Sequence, residues 1–263
     1  MPLASQPDLY IIGLGVSIPG HVTVQATRAM SRCVRLYSIV QEPPRLWLPK
    51  EHLNLEVINA LKMYNEDSIR TQNYERAART IIAALDSAHP LGYVTYGNPM
   101  SYDRVAQNLV EYAKASDITL QVVPGISSFD TILCDLTVDM APAIQVVDAS
   151  WLVACHIEPN IYMPALVMQV SVFGSFRTHY SQRPDSRSLE GLVEYLCRFY
   201  PPSHPVSLVR STGQEGEPAN VRTIALGNLC NVTSEDLGGA SLYIPVLMYP
   251  TPDQEMIGAM ERK

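Results

Sequence analysis

The stretch that decides the fold is Leu9-Tyr-Ile-Ile-Gly-Leu-Gly15. Residues 9–14 are a near-continuous apolar run that closes on Gly13-Leu-Gly15. An unbroken apolar run this short reads as a strand covered on both faces, the habit of a parallel sheet, and the glycines turn the chain at its end. Working outward, the same unit recurs. Residues 34–40, 91–96 and 119–123 read as strands, and residues 53–61 as a strand or short helix. Between them, residues 23–32, about 73–85, 103–115 and about 129–136 read as helices, with Thr23 placed as an N-cap. Glu42-Pro-Pro-Arg-Leu-Trp-Leu-Pro49 breaks regular structure. Strands alternating with helices predict an α/β fold on a parallel sheet.

The pattern changes after about Pro164. Residues 165–173, 206–210, 221–225 and 242–248 read as strands, residues 188–199 as a helix, and Gly213 to Pro218 as a polar turn. More strand and less helix predicts a second, α+β domain. The expected division is residues 1–160 for the N-terminal α/β domain, 161–250 for the C-terminal domain and 251–263 for a tail.

Composition narrows the function. Of 263 residues, 47% are hydrophobic and 17% charged, which supports a sizeable core and argues against disorder. The net charge of -7 argues against a partner that is nucleic acid or anionic membrane, since both need a basic footprint. No apolar stretch reaches the roughly eighteen residues of a membrane span, and the N-terminus lacks signal-peptide character. Cys33, Cys134, Cys155, Cys197 and Cys230 are scattered without CxxC spacing, and the six histidines form no local pair. A metal site is therefore not expected, and reduced thiols in a cytoplasm are.

Three loops follow three predicted strands: Gly13-Leu-Gly15, Tyr96-Gly-Asn-Pro-Met100 and Pro124-Gly-Ile-Ser-Ser128. Ligands of open α/β sheets bind outside the carboxyl ends of the strands, where small residues let a ligand approach the backbone. The dinucleotide fingerprint fails, because Ile18 stands where its third glycine belongs. No phosphate-binding Walker loop and no Gly-x-Ser-x-Gly elbow is present.

A second constellation is Tyr64-Asn-Glu-Asp-Ser-Ile-Arg70-Thr-Gln-Asn-Tyr74. Arg70 and Tyr74 lie four apart at the start of an amphipathic segment, so a helix puts them on one face. A phenol beside a guanidinium can take a proton while the guanidinium holds developing negative charge. The plainer alternative is a surface Tyr–Arg stack at a helix start.

With these residues in view, the chain resembles the tetrapyrrole methylase superfamily, two-domain class III S-adenosylmethionine-dependent methyltransferases. The resemblance rests on Leu9 to Gly15 with His21-Val-Thr-Val24, on Tyr96-Gly-Asn-Pro99 and on Val123-Pro-Gly-Ile-Ser-Ser128. Within it, Tyr64-x5-Arg70-x3-Tyr74, Asp148-Ala149, Met168-Gln169-Val170 and Ser241-Leu-Tyr-Ile-Pro245 are similar to borosin peptide α-N-methyltransferases. The chain departs from that pattern at Leu61, where a tyrosine can stand, at Asn98, where a histidine is usual, and at Asp148, in place of glutamate.

The resemblance implies S-adenosylmethionine as cofactor, held at Gly13, Leu14, Gly15, Tyr96, Gly97, Asn98, Pro99 and Met100, with Ser127, Ser128 and Gln169 as polar partners. Ser127 and Ser128 could equally cap the following helix, and Gln169 could face water. It implies catalysis by Arg70 with Tyr64 or Tyr74 as base, iterative methylation of backbone amides of a separate precursor peptide, and a homodimer. The short tail, Pro250 to Lys263, leads us to expect that peptide in trans. Two other readings stay open: a methyltransferase for a small-molecule acceptor such as a tetrapyrrole, and a non-catalytic peptide-binding partner.

Overall fold

The computed structural model describes residues 6–40, 55–178, 185–214 and 216–261. The expected break at 42–49 lies outside the described residues. The chain divides into two units. The first is Met1–Cys134 with two later segments, Ser175–Gln182 and Ser211–Pro218.

In the first unit β1 (Leu9–Gly13), β2 (Arg35–Ser38), β3 (Glu56–Asn59), β4 (Leu91–Thr95) and β5 (Leu120–Val123) form one sheet of order β3-β2-β4-β1-β5. Every pairing is parallel, and β1 lies between β4 and β5. The apolar run opening the chain is therefore an interior strand, and all five of its residues are buried. Its alternate side chains go to opposite faces. Tyr10 and Ile12 pack with Ala26, Ala29 and Met30 of α1 (Val24–Met30). Leu9 and Ile11 pack with Ala77, Ala78 and Ile81 of α2 (Arg70–Ala84) and with Val105, Ala106 and Leu109 of α3 (Arg104–Ala115). Burying one such aliphatic side chain contributes about 1.5–3 kcal/mol, so both faces drive the sheet's assembly.

Helix starts are chemically marked. Thr23 accepts a hydrogen bond from the Ala26 N–H, and Asp103 from the Ala106 N–H. Helix α2 has no side-chain cap. Its first N–H, that of Arg70, donates instead to the carbonyl of Phe176 at 2.9 Å. A segment more than a hundred residues later thus supplies the partner that an orphan helix N–H requires.

The second unit spans Asp135–Gly174, Arg183–Arg210 and Ala219–Lys263. It contains β6 (Gln145–Asp148), α5 (Ala149–Ala154), β7 (Ala165–Met168), α6 (Glu190–Leu196), β8 (Pro205–Arg210), β9 (Asn220–Ala225), α7 (Ser234–Leu237), β10 (Ser241–Ile244) and α8 (Gln254–Glu261). The sheet order is β6-β7-β10-β8-β9, with β6 and β7 parallel and the other pairs antiparallel. This unit has its own core around Leu152, Val167, Leu192, Leu208 and Leu242.

Some expectations shift here. The division falls at Cys134, ahead of residue 160, because β6 pairs with β7 and draws its flanking residues into the second sheet. The strand expected over 165–173 ends at Met168, since Gln169 takes a left-handed backbone at φ 62° and a 3-10 turn, Val170–Val172, follows. The strand expected over 242–248 ends at Ile244, before Pro245, which has no N–H for a ladder. Helices α5 and α7, and α8 in the expected tail, were unanticipated.

Candidate active site

The three glycine-bearing loops meet beyond the carboxyl ends of β1, β4 and β5. Gly15 and Gly97 form an antiparallel bridge, with the Gly97 N–H donating to Gly15 O at 2.9 Å and the Gly15 N–H to Gly97 O at 3.3 Å. A Cβ on Gly13 would stand 2.4 Å from Gly97 O and 2.7 Å from both Gly125 N and Pro99 Cδ. A Cβ on Gly125 would stand 2.3 Å from Gly97 O and 2.7 Å from Gly15 N. The glycines were expected to admit a ligand. At Gly13 and Gly125 the space is instead filled by the neighbouring loops, so these two serve loop-to-loop packing.

Gly97 differs. It needs a left-handed backbone (φ 59°), yet a Cβ there would meet nothing nearer than 3.9 Å. The open face of the cluster is at this residue. The N–H groups of the three residues expected to use their backbones are engaged internally: Leu14 with Thr95 O, Gly97 with Gly15 O, and Met100 with Asn98 Oδ1. The Gly97 carbonyl is engaged as well, by the Gly15 N–H, which leaves the carbonyl oxygens of Leu14 and Met100 as the backbone acceptors suited to amino and ammonium groups. Tyr96 and Met100 are exposed, Pro99 is buried, and the Asn98 side chain closes its own loop.

Ser127 is buried, and both its N–H and its hydroxyl donate to Asp130 Oδ2, at 2.9 and 2.6 Å. This is a reciprocal cap on α4 (Ser128–Leu136), whose first residue is Ser128. The capping alternative therefore accounts for Ser127. Gln169 belongs to the second unit and stands at the end of β7. Asp148, also in the second unit, caps α5 by accepting from the Ser150 and Trp151 N–H groups.

Tyr64, Arg70 and Tyr74 are brought together. Arg70 Nε donates to Tyr74 Oη at 3.1 Å, one turn along α2. The Tyr64 ring meets that of Tyr74 edge-on, with centroids 5.7 Å apart. Arg70 Nη1 reaches Ser175 O at 3.5 Å, and Ile69 bridges to Arg177, so the returning segment flanks the guanidinium. Tyr64 and Tyr74 pack on the cluster that contains Tyr93 of β4. Tyr93 is fully buried and donates to Asp103 Oδ2 at 3.0 Å. Burial, then the Asp103 charge and Tyr64, push its phenol well above the usual range, so Tyr93 stays protonated and does not serve as a base.

Sequence reasoning missed Asn73 and the returning segment. Asn73 is completely buried on α2. Only its polar character at a core position of an amphipathic helix could have marked it. The five cysteines are unbridged, and burial pushes the Cys33 thiol up to about 12, which removes it as a nucleophile at neutral pH. Among the described residues no group of three or more His, Cys, Asp or Glu is placed to hold a metal ion, and no helix is long and apolar enough to cross a membrane.

Comparison with known proteins bears on the family and the fold. The chain is 20% identical over 261 residues to a methyltransferase and ribosomally synthesized type I borosin cyclic peptide precursor of Cerrena unicolor. That match covers 97% of this chain but 62% of the relative, so the chain spans less than two thirds of that protein. Among solved structures, the uroporphyrin-III-C-methyltransferase of Thermus thermophilus superposes with a TM-score of 0.61 at 18% identity, covering 95% of this chain and 99% of that one. A structure of Thermus thermophilus uroporphyrin-III C-methyltransferase complexed with S-adenosylhomocysteine superposes at 0.52 with 16% identity, covering 90% and 91%. The family model for Tetrapyrrole (Corrin/Porphyrin) Methylases matches residues 8–226. With that match over most of its length, this chain belongs to the tetrapyrrole methylase family.

Proposed function

We propose that the protein methylates backbone amide nitrogens of a precursor peptide. The observation that carries this reading is the Arg70–Tyr74 hydrogen bond with Tyr64 against it. The similarity to borosin methyltransferases, at about one residue in five, supports it. When bound, S-adenosylmethionine supplies an electrophilic methyl group; the carbonyls of Leu14 and Met100, with Tyr96 and the open side of Gly97 beside them, would hold it.

An amide nitrogen is a poor nucleophile because its lone pair is delocalised into the carbonyl. It must lose its proton as the new bond forms. Tyr74, acting as the phenolate, takes that proton and becomes the neutral phenol, and Arg70 Nε fixes the position of its oxygen. The guanidinium N–H groups not facing Tyr74 or Ser175 hold the charge that develops on the amide oxygen. Tyr64 shields one side of this pair and orients the acceptor strand. Lysine at position 70 would keep the charge and lose the planar fork that serves both groups.

The test is tandem mass spectrometry of the peptide encoded beside the gene, co-expressed in trans with and without the protein. Mass gains of one methylene unit on backbone amides are expected. An unmodified peptide, with S-adenosylmethionine still bound by the protein, would overturn the reading and favour a small-molecule acceptor or a non-catalytic partner. The dimer that the resemblance implies is tested separately by hydrodynamic mass.

A further inference from the structure

We infer that Asn73 is a positioning residue, one buried amide that sets Tyr64, Arg70 and Tyr74 in register for proton transfer. The inference rests on the function proposed above. Asn73 uses all four of its hydrogen-bonding capacities. Its Nδ2 donates to Asn65 O and to Thr178 Oγ1, each at 2.8 Å. Its Oδ1 accepts from the Asn65 N–H at 2.9 Å and from Arg76 Nη1 at 3.2 Å. The side chain is completely buried, so none of these bonds is traded for water.

The partners give the network its meaning. Asn65 follows Tyr64 directly, and a two-point clamp on its peptide groups fixes where the Tyr64 ring starts. Thr178 belongs to the returning segment, whose Phe176 carbonyl takes the Arg70 N–H and whose Ser175 carbonyl takes the guanidinium. Thr178 itself is held by its N–H donating to Ser68 O at 2.9 Å. Asn73 sits between Arg70 and Tyr74 on the same helix. One amide therefore ties together the three pieces of chain that hold the phenols and the guanidinium. Its four hydrogen bonds go to neither phenol, and it acts through Asn65 and Thr178.

The experiment uses the full chain labelled with 3-fluorotyrosine, the Tyr64 and Tyr74 fluorine resonances being assigned by Tyr64→Phe and Tyr74→Phe. Asn73→Ala and Thr178→Val are compared with Thr178→Ser, which keeps the hydroxyl. Thr178→Val is near-isosteric and keeps the experiment open if Asn73→Ala does not fold. Expected is a displaced or broadened Tyr64 resonance in Asn73→Ala and Thr178→Val, with the resonance of core Tyr10 unmoved. Methylation kcat should fall tenfold or more, with peptide KM and S-adenosylhomocysteine Kd within twofold, and Thr178→Ser should restore both signals. An unmoved Tyr64 resonance, or a kcat loss that Thr178→Ser does not recover, would overturn the inference. The fluorine readout needs no peptide. A protein that never methylates peptide but shifts Tyr64 as described defeats the functional reading and leaves the positioning intact; the converse pattern defeats the positioning alone.

Discussion

The two halves of the site in the first unit are built by opposite means. The loops after β1, β4 and β5 are held backbone to backbone, with Gly13, Gly97 and Gly125 so close that a methyl group at the first or last has no room. The Tyr64–Arg70–Tyr74 cluster is held by side chains, through a buried amide and a segment that returns about a hundred residues later. The first arrangement is indifferent to side-chain chemistry and intolerant of volume. The second depends on its side-chain hydrogen bonds. The roles proposed for them, cofactor cradle and proton-handling centre, call for these respective properties: fixed shape in one, tunable polarity in the other.

The largest effect that separates them is expected from Gly13→Ala. Its Cβ meets backbone atoms, which do not rotate away, so stability should fall by about 3 kcal/mol or more, read from the urea midpoint. A fully stable Gly13→Ala protein would mean that the loops are not packed as described. Next comes Arg70→Lys. We expect methylation to fall about 100-fold while the urea midpoint and S-adenosylhomocysteine affinity stay near wild type. Loss of cofactor affinity along with turnover would merge the two halves that the geometry separates.

Gly97→Ala sharpens the comparison inside one loop. Here the added methyl group has space, and the cost is the left-handed backbone, about 1–2 kcal/mol. If the open face at Gly97 is where the cofactor lies, calorimetry should show S-adenosylhomocysteine affinity falling by more than that stability loss implies. The smallest effect concerns how β1 is tied to β5. The Thr119 hydroxyl and then the Thr119 N–H hold the Asp8 carboxyl below its ordinary value. A depressed carboxylate contributes stability above its unfolded pKa of about 4 and loses it as pH falls through the folded value. Asp8→Asn should therefore lower the urea midpoint slightly at pH 7, and the gap to wild type should narrow as the pH falls below about 4. A constant gap would place the effect in shape and not in charge.

The same contrast explains what was legible in the sequence. The first sheet, its strands and the cap Thr23 follow from local signals: apolar runs, glycine punctuation and a capping oxygen. The Arg70–Tyr74 contact follows from helical spacing. The support of that contact does not, because Thr178 lies 105 residues from Asn73 and carries no mark of its destination. Ser127 reads from sequence as a ligand group or as a helix cap, and its bonds to Asp130, which supply the cap, become visible only in the fold. In the second unit, φ 62° at Gln169 ends a strand whose apolar pattern runs on to Phe173, since the backbone angle of a single non-glycine residue leaves no trace in hydropathy.

The central claim is that Tyr74, fixed by Arg70, takes the amide proton of a peptide. Its most direct test is tandem mass spectrometry of the peptide encoded beside the gene, co-expressed with either the wild-type protein or Tyr74→Phe. Backbone N-methylation by wild type, and at least about 100-fold less by Tyr74→Phe with S-adenosylhomocysteine binding unchanged, is the expected result. Equal methylation by both proteins would contradict the assignment of Tyr74, and a peptide unmodified by wild type would contradict the function itself.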